Sequence, residues 1–308
     1  MATSKVEGNE VVEEECWGLP DDFNIHATHQ VKTVYYPQNH SKNNDNVDTN
    51  NSHSFQIECI EPDSPLDINN KSQSSSEYDA TGHCVWTGAF LLIQCIHELE
   101  DWIENNTRDS QPPKRMIEFG TGTGIGGLAM ILADSSNNLT TSSTTTITTT
   151  SVSPSYICFT DNDPAALKVC ERNCKLNNLC KTQYEIKELT WGEEYNIDKD
   201  GTYDIALATD VLYDVDLIKP LFTTVSQCLP SDGIFILSHI PRACYNENNP
   251  PEAQENLEQY IIDQAVKYNL HLETIIRPPK EGNFDQTILD WCAESAFLGG
   301  GILIFRRK

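Results

Sequence analysis

The residues best suited to chemistry begin at Glu118. From Met116 to Ala129 the chain reads as an apolar strand, an acid, a glycine-rich turn and the start of a helix. Gly120, Gly122, Gly124 and Gly126 alternate with other residues, and a helix or strand interior would lose too much backbone entropy there. They permit positive φ and let a ligand lie against bare backbone, where a strand's carboxyl end meets a helix N-terminus. Gly122, Gly124 and Gly127 also satisfy G-x-G-x-x-G, which alone is a weak dinucleotide signal. Glu118 argues against that ligand, because an acid two residues before the first glycine repels a pyrophosphate. It suits a cationic ligand, such as the ammonium and sulfonium of S-adenosylmethionine; tight helix-on-strand packing without a ligand is the plain alternative. Asp161 ends the next predicted strand, where an acid holds a ribose hydroxyl pair. Its distance from Gly122 approaches the usual ~20 residues once an intervening Ser/Thr run is set aside. Trp86 stands at a helix entry, either as a core anchor or as a pocket wall. Asp210 and Tyr213 follow a later strand; an Asp there ordinarily caps the next helix, and Tyr213 could equally be core. His83 and His239 have no third ligand at suitable spacing, so no metal is expected.

These residues need a scaffold. Strands are predicted at Met116 to Phe119, Tyr156 to Thr160, Tyr184 to Leu189, Tyr203 to Ala208 and Ile234 to Ser238. Helices are predicted from Leu128 to Ala133, after Asp163-Pro164, from Leu217 to Cys228 and from Glu252 to Tyr268. Two last strands, His271 to Ile276 and Gly301 to Phe305, flank a short helix at Gln286 to Ala293. Alternation through five strands implies a parallel sheet covered on both faces, and the terminal pair adds an antiparallel edge. Upstream, Ala89 to Glu100 has a helical apolar stripe. Val31 to Tyr36 and Phe55 to Ile60 read as a β-hairpin around a long polar loop. The expected organisation is a disordered acidic tail over 1–25, the hairpin extension with polar loops over 26–80, and the main domain over 81–308. That domain carries a low-complexity loop insertion at 135–154.

The 308 residues carry a net charge of −25. Nucleic acid is therefore not an expected partner, since binding it requires neutralising phosphates. A basic protein substrate would be steered favourably. Eleven cysteines without a Cys-x-x-Cys pair read as free thiols in a reducing compartment. No signal segment or membrane span is expected.

Val85-Trp86, the Glu118–Gly124 turn, Leu189-Thr190-Trp191-Gly192 and Asp210-Val211-Leu212-Tyr213 occur in one order. Together they resemble the seven-β-strand protein-lysine methyltransferases, the methyltransferase-like group acting on non-histone proteins. The resemblance covers Gly82 to Gly233. It implies a Rossmann-like doubly wound α/β sheet of order 3-2-1-4-5-7-6 with strand 7 antiparallel. It also implies S-adenosylmethionine as cofactor; a monomer in the cytoplasm, the nucleus or both is expected separately. Trp86, Glu118, Gly120, Thr121, Gly122, Asp161, Trp191 and Thr209 would bind the cofactor, and Asp210 and Tyr213 would face the incoming lysine. Phe119 replaces a frequent leucine, and the Ser/Thr insertion departs from the family pattern. A small-molecule N-methyltransferase and an inactive cofactor-binding interaction protein are the alternatives on this fold.

Overall fold

The computed structural model describes residues 29–37, 54–60, 80–106, 115–133, 154–242, 249–279, 284–290, 292–297 and 299–308. The expected acidic tail, the polar loops and nearly all of the 135–154 insertion lie outside these residues. The apolar runs at the centre of the sheet form strands buried on both faces, while Tyr184–Glu188 and Leu270–Ile276 at its edges are only partly buried. β3 (Arg115–Phe119), β4 (Tyr156–Asp161), β5 (Tyr184–Glu188), β6 (Ile205–Thr209) and β7 (Ile234–His239) pair in parallel. β8 (Leu270–Ile276) and β9 (Gly301–Arg307) complete the sheet, with β9 antiparallel to both neighbours. The order β5-β4-β3-β6-β7-β9-β8 is the expected 3-2-1-4-5-7-6 counted from β3. It reverses direction between β3 and β6, so the crevice outside their carboxyl ends is where such a sheet binds ligands.

Alternate residues of the strands feed two cores. Ile234 and Ile236 face a cluster with Phe90, Leu92 and Leu128, while Phe235 and Leu237 face Phe222, Leu257 and Ile261. Two predicted helices are each divided. The first becomes α1 (Thr87–Gln94) and α2 (Ile96–Asn106), because Cys95 leaves helical geometry at φ −103° and ψ 18°. The Glu252 to Tyr268 helix is broken at Asn256, whose φ of −154° ends one turn and whose side chain caps Leu257–Val266 by accepting from the Gln259 N–H. Apolar periodicity runs through both breaks, so spacing alone could not locate them.

The hairpin forms as expected from β1 (His29–Tyr35) and β2 (Ser54–Ile60), paired antiparallel. It is packed into the domain. Val34, Tyr36, Phe55, Ile57 and Cys59 belong to the same core as Leu128 and Ala129, and the Tyr36 hydroxyl donates to the Ala129 carbonyl at 2.7 Å.

Candidate active site

The turn after β3 is built on three left-handed glycines, Gly120 at φ 62°, Gly122 at 51° and Gly124 at 80°. A β-carbon on Gly120 would lie 2.9 Å from Val211 and 3.1 Å from the Trp191 ring, and one on Gly122 would lie 3.0 Å from the Gly82 carbonyl. The turn therefore needs glycine for both conformation and close approach. Several of its amides are already committed. The Thr121 N–H donates to the Thr160 carbonyl, Gly122 to the Asp161 carboxylate at 2.9 Å, Gly124 to the Thr121 carbonyl and Gly127 to Glu118 at 3.0 Å. A pyrophosphate would find these donors taken, which separates this turn from a phosphate-binding nest.

Glu118 lies beneath the turn with no exposed surface. One carboxylate oxygen accepts from the Thr121 hydroxyl at 2.5 Å and the other from the Gly127 amide. Burial pushes its carboxyl up to about 8, although those hydrogen bonds pull the other way. In this place it braces the turn, and Gly126 and Gly127 must be small because a β-carbon on either would fall within 2.8 Å of its oxygens. Asp161 reaches the same turn from the end of β4 and also accepts from the Asp163 N–H at 3.1 Å. Burial raises its carboxyl above the ordinary range, against the pull of those N–H donors.

Trp191 is half-buried against Gly120, and Thr209 ends β6 with its side chain beside Gly126. Trp86 precedes α1, and its indole N–H donates to the Thr81 carbonyl at 3.0 Å. These residues converge on the carboxyl edge of β3, β4 and β6. Asp210 joins them in a left-handed conformation, φ 57°, one residue past β6. Its backbone N–H donates to the Ser238 carbonyl, and its carboxylate accepts from the Gly88 N–H at 3.1 Å. It therefore caps a helix, but α1 rather than the one that follows it in sequence. Tyr213 is 53% exposed, which removes the core reading for that residue.

Sequence reasoning did not single out Arg242. Its guanidinium pairs with the Asp210 carboxylate at 2.8 Å and lies 4.8 Å from the centre of the Trp86 ring. The signal was available: a cation just past the carboxyl end of a strand, in a chain with 21 basic and 46 acidic residues. His239, at the end of β7, is buried with no partner for either ring nitrogen among the described residues. Burial holds its imidazole down at about 4, with Asp210 and Glu258 opposing that shift. A cleft of about 520 Å³ opens next to Arg242, lined by Pro241, Glu258, Arg277, Phe284 and Phe297 among others; no glycine-turn residue lines it. No group of three metal-ligating side chains occurs among the described residues.

This sheet order, with a glycine turn after β3, an acid closing β4 and another just past β6, defines a Rossmann-like methyltransferase architecture. The chain belongs to the lysine methyltransferase family: residues 61–250 match the family described by that name. It is 28% identical over 166 residues to the zebrafish (Danio rerio) protein N-lysine methyltransferase METTL21A, a match spanning 53% of this chain and 66% of that protein. Among solved structures, the N-methyltransferase NodS of Bradyrhizobium japonicum overlays with a TM-score of 0.40 at 9% identity, covering 69% of this chain and 96% of that one. The ribosomal protein L11 methylase of Lactobacillus delbrueckii overlays with a TM-score of 0.37 at 18% identity, covering 69% and 79%.

Proposed function

We propose that this chain transfers a methyl group from S-adenosylmethionine to the ε-amine of a lysine in a non-histone protein. One observation carries the acceptor class. At the edge beside the glycine turn, a buried carboxylate and a tryptophan face already hold a long basic side chain, that of Arg242. An acidic edge walled by an aromatic face attracts cationic side chains, and lysine is the one that can shed its proton to become a nucleophile.

The donor fits the turn, several of whose amides are spent on protein acceptors and whose neighbours include an acid for a ribose and two indoles. Trp86, Gly120, Thr121, Gly122, Asp161, Trp191 and Thr209 would hold it, with Glu118 beneath. When bound, it supplies the methyl group on a sulfonium leaving group, and the protein's part is orientation and desolvation. The acceptor must arrive as a neutral amine, although a free lysine titrates near ~10.4. Asp210 draws the ammonium in, yet its charge also favours the protonated form. Arg242 limits this effect: it is paired with Asp210, so a lysine amine arriving beside the pair meets little net negative charge and sheds its proton more readily than beside a lone carboxylate. Tyr213 stands at the solvent side, where its ring or hydroxyl can line the lysine's entry. The cleft past Pro241 would take the substrate chain flanking that lysine. The nine free thiols among the described residues support residence in the cytoplasm or nucleus.

The test pairs calorimetry with labelling. The full chain should bind S-adenosylmethionine but not NAD, and labelled cofactor should place methyl groups on lysine in lysate protein. Label appearing only on small amines would move the assignment to the small-molecule alternative. Cofactor binding without any transfer would leave the interaction-protein reading.

A further inference from the structure

We propose that Asn173 is a positioning residue for the glycine turn, and that the β1–β2 hairpin holds the cofactor site through it. The inference rests on S-adenosylmethionine being the ligand of that turn. The hairpin precedes the family match, which begins at residue 61, and nothing in that match assigns it a role.

The helix after β4, Pro164–Leu176 with its C-cap Asn177, presents two asparagines one turn apart toward the outer edge of β2. Asn177 accepts from the Gln56 N–H at 2.8 Å and donates to the Gln56 carbonyl at 2.6 Å. Asn173 treats Glu58 in the same way, accepting from its N–H at 2.6 Å and donating to its carbonyl at 3.0 Å. The two amides thus imitate a neighbouring strand and close the free edge of β2. Asn173 does one thing more. Its second amide hydrogen goes to the Thr123 carbonyl at 2.9 Å. Thr123 sits between Gly122 and Gly124, both left-handed, where the backbone has the most freedom to lose. Asn173 is fully buried, so one planar amide with both hydrogens committed ties the position of β2 to the position of the turn.

Asn177 supplies the internal control, because it makes the same clamp on β2 without the link to the turn. Asn173→Ala should weaken calorimetric binding of S-adenosylmethionine by about tenfold, the worth of one buried hydrogen bond. Asn177→Ala should bind within about twofold of the parent while losing comparable thermal stability. Equal affinity in Asn173→Ala, or equal weakening in both variants, would overturn the proposal. If Asn173→Ala does not fold, Asn173→Ser replaces it: its short hydroxyl cannot reach both Glu58 and the Thr123 carbonyl, adds no charge and should show the same loss. Amide hydrogen exchange of the ligand-free chain separates this inference from the assignment of the cofactor. The Thr121 and Gly124 amides should exchange faster in the Asn173 variant and not in the Asn177 variant. Unchanged exchange there would sink the inference even if the parent binds the cofactor.

Discussion

Asp210 combines three properties that rarely meet in one residue: a left-handed backbone, a buried carboxylate and a cation partner. Asparagine tolerates the same conformation, so Asp210→Asn isolates the charge. Methyl transfer should fall by roughly a hundredfold or more, as when a charge-stabilising group is removed from a site, while cofactor affinity stays within about twofold. Labelled transfer measured beside calorimetry checks the split. Gly88→Ala should act on the same residue from across the site, since its β-carbon would come 2.6 Å from that of Asp210. Glu118 gives a prediction in pH. Its folded-state carboxyl is raised to about 8, so its contribution to stability is full below about 4.5 and is lost as pH rises through 8. His83 and His239 are held at about 4, so their contribution is present above about 6.5 and lost as pH falls. Between pH 6.5 and 8 the Glu118 slope should dominate, and Glu118→Gln should flatten that part of a melting-temperature profile. The pattern of acid and glycines is local and could be read in the sequence. Arg242 could not be placed on Asp210, because contact between residues 32 positions apart depends on the sheet bringing β6 and β7 side by side.

The elements were legible where period and length agree. The nine strands among the described residues coincide with predicted runs to within a few residues; those at the centre of the large sheet carry the continuous apolar signature of both-faced burial, and the hairpin strands were visible through their β-branched and aromatic residues. Single residues escaped, as at Cys95 and Asn256. The second break gives a measurable expectation: Asn256→Ala removes the cap of Leu257–Val266 and should lower stability by about 1 kcal/mol in denaturant unfolding. The hairpin's existence was visible in its β-branched and aromatic runs. Its docking was not, because the contacts that dock it are long-range: Tyr36 to Ala129, Asn173 to Glu58, and Arg172 to Glu58 at 2.8 Å. The His29 imidazole, 2.9 Å from the Glu58 carboxylate, and the Arg172 guanidinium draw that carboxyl down to about 2, against the opposing effect of burial.

At the scale of the whole molecule, charge and ligation are the accessible variables. A net charge of −25 should speed association with a basic protein substrate, and transfer at subsaturating substrate should slow as salt shortens the Debye length from about 30 Å to about 8 Å. A hundredfold excess of S-adenosylmethionine over its dissociation constant adds about 2.7 kcal/mol to stability, and melting should rise by roughly 5–10 °C with NAD inert. The sheet order carries a consequence for biosynthesis. β9 follows both β7 and β8 in sequence, yet it lies between them in the sheet. While the ribosome still holds Gly301–Arg307, both neighbours display open edges, each able to pair with another nascent chain. A message truncated before the Gly301 codon would yield a polypeptide whose glycine turn is encoded intact but whose sheet lacks the strand that joins β8 to β7. Quality control, rather than a weakened enzyme, would be its fate.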